Sequence, residues 1–171
     1  MSKKKSYLLV GLIILIGIVV DLVTKAVFSN VLEYGAKDIE LIPNLLKLMY
    51  IENDGAAYGM LGGKTWFLII ITIAFVIGFV CYYIFNHSTS IWYNVGIGLI
   101  ISGAIGNLID RLFFDGIVRD FISIRFFSFV FNFADMWITF GVICFAVFVI
   151  IELVKEMKEK KGKKHNDTED K

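Results

Sequence analysis

Asp120 and Asp135 are carboxyl groups set in apolar surroundings. Asp135 lies in FNFADMWITF, among Phe131, Phe133, Ala134, Met136 and Trp137. Asp120 lies in GIVRDFISI, with Val118 and Phe121 close by. Taking a carboxyl out of water disfavours its charged form and raises its pKa. Two such groups in one site cannot both ionise easily, so one keeps a proton at neutral pH. That pair can hydrolyse an amide without a metal. The ionised member takes a proton from water, and the protonated member polarises the scissile carbonyl. Each residue also has a plainer reading. An Asp one turn into a helix is favoured by the helix dipole, and Asp120 could be an exposed loop carboxylate. Spacing alone leaves Asp110 and Asp115 as competing partners for Asp135.

Further polar groups flank these two. In GAIGNLIDR, Asn107 and Arg111 are four residues apart and share a helical face. An amide and a forked cation suit a peptide backbone and a polar head group. Asp110 beside Arg111 reads as a structural ion pair, and Gly103, Ala104 and Gly106 as a surface for close helix packing. Asn53-Asp54-Gly55 is a turn, either bare or placing the Asn53 amide against a substrate main chain. Asp21 and Lys25 form an i, i+4 pair whose simplest reading is an ion pair snorkelling to the surface.

The elements that must position these groups are membrane helices. Hydrophobic residues make up 57% of the 171-residue chain, against roughly 45–50% in ordinary soluble domains. The excess falls in four runs near the ~20 residues a spanning helix needs: about 7–28, 65–85, 91–109 and 132–153. The first run follows Lys3-Lys4-Lys5 as a signal peptide would, but ends in DLVTK without a small-x-small cleavage site, so it is read as a retained span. One membrane-embedded domain occupies the chain, and 154–171 is a polar tail read as a solvated helix end fraying into disorder. Lysines crowd both termini, which places both in the cytoplasm. The segments at about 29–64 and 111–131 then face outward. Leu45–Glu52 and Ile117–Val130 are rich in strand-forming residues and are expected to pair as a small sheet at the outer surface. Every polar group named above falls at an outward span end or in an adjoining loop. Ionisable groups at membrane depth are costly and default to a functional reading. Cys81 and Cys144 sit in apolar runs as small hydrophobes, and His87 and His165 lie in or beside polar loops and termini, so a zinc site is not expected.

Taken together, the chain resembles the bacterial lipoprotein signal peptidases, signal peptidase II. The matching motifs are DLVTK (21–25), NDGAAY (53–58), SGAIGNLIDR (102–111), VRDF (118–121) and FNFAD (131–135), in the family's order and over about residues 7 to 153. The resemblance implies an α-helical membrane protein of four transmembrane helices with a small extracytoplasmic β-sheet, the β-cradle. It implies a catalytic dyad at Asp120 and Asp135, and substrate contacts from Asn53, Asn107, Arg111 and Asn132. Asp21, Lys25 and Gly55 would be supporting residues. The implied activity is removal of signal peptides from diacylglyceryl-modified prolipoproteins, cutting on the N-terminal side of the lipidated cysteine. It needs no metal or other cofactor and takes place near the outer face of the bacterial cytoplasmic membrane. The implied partners are those substrates and membrane lipid, with no nucleic acid. Departures are Tyr58 where Phe is usual, Ser102 where Gly is common, and Arg119 where an apolar residue is often seen. Side chains adjacent in a strand point to opposite faces, which would turn Arg119 away from Asp120.

Two other classes compete. A carrier or channel would line an ion path with polar groups at both membrane faces, whereas here they gather at one. A purely structural membrane protein leaves two carboxyls in apolar surroundings without a purpose.

Overall fold

The computed structural model describes residues 1–32, 38–55 and 63–169. Among these, four helices are long and apolar enough to cross a membrane: α1 (Lys3–Val31), α2 (Thr65–Phe85), α3 (Ile91–Phe113) and α4 (Phe133–Glu169). Inside a bilayer a backbone must satisfy its own hydrogen bonds, so long runs such as TWFLIIITIAFVIGFVCYYIF form helix despite their β-branched residues. Four short strands lie at the end of the bundle where α1 and α3 finish and α2 and α4 begin. They are β1 (Ile39–Ile42), β2 (Leu46–Asn53), β3 (Val118–Ile124) and β4 (Val130–Phe131), and they form one antiparallel sheet in the order β1-β2-β3-β4.

α3 is the central helix. The other three expose broad apolar faces suited to lipid, while most of α3 is covered by its neighbours. Lipid tails are as apolar as leucine, so hydrophobicity does not hold helices together there; close packing of small residues does. A Cβ on Gly96 would lie 2.9 Å from the Gly141 carbonyl oxygen, and one on Gly141 would lie 2.8 Å from that of Gly96. About two helical turns nearer the sheet, a Cβ on Gly103 would run into the Ala134 carbonyl. On the opposite side Gly98 abuts Ile13 of α1. α3 is therefore clamped between α1 and α4, which fixes Asn107 against Asp135 in the first turn of α4.

Two apolar clusters close the ends. Val10, Tyr83, Tyr93, Ile97 and Ile101 pack at the end away from the sheet. There the Tyr83 hydroxyl donates to Asn94 Oδ1 (2.8 Å), and the Asn94 amide donates to the carbonyls of Ser88 and Ser90, tying the short α2–α3 connection. Leu32, Leu48 and Phe121 join α1 to the sheet. β2 and β3 pair with Asn53 opposite Val118 and Ile51 opposite Asp120, so the two strand-like stretches read from sequence do meet.

Several boundaries differ from expectation. α1 begins at Lys3 and α3 continues to Phe113, because Asp110 and Arg111 find partners inside the protein and do not end the helix. The segment after Leu153 is not frayed: α4 runs on to Glu169, and Lys155 pairs with Glu152 at 2.7 Å, as helical spacing allows. β1 had no signal in the sequence beyond Ile39, Leu41 and Ile42; its four residues are all exposed.

Candidate active site

α4 starts where the chain leaves β4, and its first turn organises the site. Asn132 is fully buried just ahead of the helix. Its Oδ1 accepts from the Asp135 N–H (3.0 Å), and Asp135 Oδ2 accepts from the Asn132 N–H (3.2 Å). This reciprocal pair is a capping box made with Asn and Asp, and it satisfies donors that the first turn would otherwise leave open. The Ala134 N–H is taken by Asp21 Oδ1 of α1 at 2.8 Å. Asp135 is thus held at the third helical position with Oδ1 turned to Asn107, whose Nδ2 donates to it at 2.8 Å.

β3 supplies the second carboxyl. Val118 and Asp120 point from one face of the strand into a cavity of about 670 Å³ that Asp135 also borders. Asn53 Nδ2 donates to Asp120 Oδ2 (2.9 Å) and Asn132 Nδ2 donates to Asp120 Oδ1 (2.6 Å). Asn132 therefore touches both carboxyls, one through its side-chain amide and one through its backbone. Asp120 is 2% exposed. Burial pushes its pKa up to about 7, and the neighbouring charge of Asp135 adds to the rise; the bonds from Asn53 and Asn132 and the charge of Lys25 oppose it.

Behind the dyad lies a buried ionic network. Lys25 Nζ is 2.8 Å from Asp21 Oδ2 and 3.3 Å from Asp110 Oδ2, and it donates to Asn107 Oδ1 at 2.9 Å. Asp110 Oδ1 is 2.7 Å from Arg119 Nη2. Asp21, Lys25 and Asp110 are completely shielded from solvent, and Arg119 is 6% exposed. Two acids face two bases, so the network is neutral as a unit, which is the condition for burying charge at tolerable cost. Asn107 Oδ1 accepts from Lys25 and from Asn132 (3.1 Å), which fixes its amide with Nδ2 toward Asp135.

On the cavity side, Arg111 Nη2 donates to the Gly55 carbonyl at 2.9 Å, and the Gly55 N–H bonds Asn53 Oδ1 at 3.0 Å. Asn53, Gly55, Asn107, Arg111, Asp120 and Asp135 all border one cavity, while Asn132, Asp21 and Lys25 brace it from behind. Phe129, Val130, Phe131 and Ile138 give the same cavity an apolar side.

A family model described as signal peptidase (SPase) II matches residues 13–151. The chain belongs to the signal peptidase II family. That family is one of membrane peptidases, so the chain is placed among enzymes. Lipoprotein signal peptidase from Staphylococcus haemolyticus is 40% identical over 92% of this chain and 99% of its own length. That of Clostridium novyi is 39% identical over 82% of this chain and 97% of its own. A bacterial membrane enzyme solved by the in meso method superposes with a TM-score of 0.77 at 36% identity, covering 88% of this chain and 90% of that one.

Some readings of single residues change. Asp110 does not pair with Arg111. Residues adjacent on a helix point about 100° apart, so Asp110 turns to Lys25 and Arg119 while Arg111 turns to the cavity. The Asp21–Lys25 pair does not snorkel; it is buried because α4 places the Ala134 N–H on Asp21 and α3 places Asn107 on Lys25. Arg119 points away from Asp120, as strand alternation requires. Asp110 was not assigned to the site from sequence. Its i, i+3 spacing from Asn107 was the available signal. Ala56, Ala57 and Tyr58 of the NDGAAY motif lie outside the described residues.

Proposed function

We propose that this chain is an aspartyl endopeptidase that removes signal peptides from diacylglyceryl-modified prolipoproteins, cleaving on the N-terminal side of the lipidated cysteine, with Asp120 and Asp135 as its dyad. The observation that carries this reading is that two carboxyls from different elements border one cavity and are bridged by Asn132, with Asp120 raised to about 7 by burial and by Asp135. Near neutral pH the pair shares one proton, and which carboxyl holds it is a property of the pair. The ionised carboxyl takes a proton from water, and the resulting hydroxide equivalent bonds the scissile carbonyl carbon. The protonated carboxyl donates to the carbonyl oxygen. Collapse of the tetrahedral intermediate breaks the C–N bond, and the proton taken from water passes to the leaving amine. Each cycle consumes one water and returns the dyad with one proton.

Asn53, Asn107 and Arg111 offer N–H groups at the cavity wall for the substrate backbone and the glyceryl ester region, and the apolar side suits acyl chains. Both termini are assigned to the cytoplasm and the sheet to the outer face of a bacterial cytoplasmic membrane, from the lysine-rich ends. Membrane lipid surrounds the bundle; neither nucleic acid nor a cofactor enters the scheme.

The test is cleavage of a diacylglyceryl-modified prolipoprotein by purified protein in micelles containing EDTA. Activity is expected to persist there. Asp120→Asn and Asp135→Asn should each abolish it while the proteins still fold and bind substrate, and the double variant should be little worse than either single one because the carboxyls act together. Near-normal cleavage by either folded single variant would sink the aspartyl mechanism, and loss of wild-type cleavage in EDTA would point to a metal.

A further inference from the structure

Arg119 is the residue just before Asp120, yet it reaches the opposite way. Its side chain takes Asp110 through Nη2 (2.7 Å) and Nε (3.4 Å), and its backbone N–H donates to Asp110 Oδ2 at 3.0 Å. Its carbonyl accepts from Asn132 Nδ2 at 3.5 Å. The guanidinium lies 3.8 Å above the Phe114 ring centroid, a stacked geometry that restrains the planar group. The backbone of Arg119, which leads directly into Asp120, is thereby held at its N–H by Asp110 of α3 and at its carbonyl by Asn132 ahead of α4.

The contacts of Asp110 have a further effect. Asp21 and Asp110 both lie against Lys25. One ammonium between two buried carboxylates leaves an uncompensated charge, which is costly in a low-dielectric interior. With Arg119 present, Asp110 is held at 2.7 Å by the guanidinium and at 3.3 Å by Lys25. Lys25 is then 2.9 Å from Asn107 Oδ1, and Asn107 in turn holds Asp135. Without Arg119, Asp110 would draw Lys25 away from Asn107.

We propose that Arg119 is a positioning residue for the dyad: from the face of β3 turned away from the cavity it holds Asp110, so that Lys25 fixes Asn107 against Asp135 while its own peptide anchors Asp120. The inference rests on the dyad reading above. Charged groups around Asp120 are Asp135 of α4, Arg111 of α3, Lys25 of α1, and Glu52 and Asp54 of β2 and its following turn. Arg119 is the charge whose removal leaves the network behind them one negative unit out of balance.

Arg119→Met, Arg119→Lys and Arg119→Gln would be compared with wild type by cleavage of a diacylglyceryl-modified prolipoprotein in micelles across pH 5 to 9 (a range set by about one or two units either side of the dyad's basic limb), with melting temperature as the folding check. In folded Arg119→Met, kcat should fall roughly tenfold or more, the scale of a small misplacement at a reacting centre, while KM stays within about twofold. The basic limb of the profile should also move up by on the order of half a unit to one unit, because a positive charge is lost near a buried acid. Arg119→Lys should restore the limb but only part of kcat, having charge without the fork. Arg119→Gln should keep a donor to Asp110 and show the shifted limb. If Arg119→Met does not fold, the Lys and Gln variants separate charge from fork by themselves. A folded Arg119→Met protein with wild-type kcat and limb would overturn the proposal, as would a loss confined to KM. A fully active Asp120→Asn protein would sink the dyad itself, whatever Arg119 does.

Discussion

Asn132 donates once to each of the two proposed catalytic carboxyls and once to Asn107, its Oδ1 accepts from the Asp135 backbone N–H, and it is fully buried. Its neighbour Asp120 titrates near 7, so the protonated pair exists below that pH and the doubly ionised pair above it. The sign follows: kcat/KM should fall as pH rises through about 7 and beyond, the loss following ionisation of the second carboxyl. A pH–rate profile in micelles that stays flat from 6 to 9, roughly the window over which such a group changes charge, would rule out the shared proton. Asp115 is a different kind of carboxylate. It sits in a turn with φ 50°, followed by Gly116 at φ 87°, and is exposed. Asn tolerates that backbone region well, so Asp115→Asn should retain near-normal cleavage; a dead but folded variant, with Asp120→Asn active, would make Asp115 and not Asp120 the partner of Asp135. Asn107→Ala removes the bonds to Lys25, Asn132 and Asp135, and Arg111→Ala the bond to the Gly55 carbonyl; the loss of one such contact commonly costs about 1–3 kcal/mol. If the contact is felt at the transition state, kcat/KM should drop roughly 5- to 150-fold. Unchanged kcat/KM in both variants would take them out of the site.

At the level of elements, the contact of α3 with α4 decides whether the two halves of the site meet. Gly103 faces the Ala134 carbonyl and Ile138, one residue before Asp135 and three after it. Gly103→Val should force the helices apart, costing on the order of 1–3 kcal/mol by overpacking, and should lower activity by more than the loss of folded protein explains. Gly11 of α1 has open space around its Cβ position, so Gly11→Ala should melt at or slightly above the wild-type temperature, since Ala is the better helix former. Equal melting temperatures for Gly103→Val and wild type would mean that the helices can part without cost. The sheet contributes in another way. β3 is buried along nearly its whole length, its Asp120 face toward the cavity and its Phe121 face against Leu32, Leu48 and Phe28. A one-residue slip would exchange those faces, and the Asn53–Val118 register prevents it.

For the whole molecule, the distribution of charge predicts its orientation. With lysines at both ends and the polar cluster at one end of the bundle, the expected outcome is a sheet on the outer face. In a background without Cys81 and Cys144, a cysteine at position 125 should react with an impermeant maleimide added to intact cells, and a cysteine in the tail should not. The same labelling outcome is expected at position 37, which lies outside the described residues. Labelling of the tail but not of position 125 would invert the topology. Within the spans the exposed faces of α1, α2 and α4 are predominantly apolar, whereas the buried face of α3 carries glycines and polar groups. This inside-out arrangement follows from the solvent: lipid takes the apolar surface, and the interior is left for small residues and paired charges.

Much of this was readable in the chain alone, for reasons that are local. Four spans follow from runs of apolar residues, because a bilayer admits little else. Asp120 and Asp135 stood out because a carboxyl among phenylalanines is costly unless used. The turning of Arg119 away from Asp120 followed from strand alternation. What the sequence could not decide was pairing at a distance. Asp110 looked like a partner for Arg111 beside it, and Asp21 with Lys25 looked like a surface pair. Only the packing of α1 and α4 on α3 brings Lys25, 82 positions away, to Asn107, and Asp21, 113 positions away, to the Ala134 N–H. Charges choose partners by distance in space and by the burial that makes an unpaired one costly. Both are set by the glycine contacts between helices.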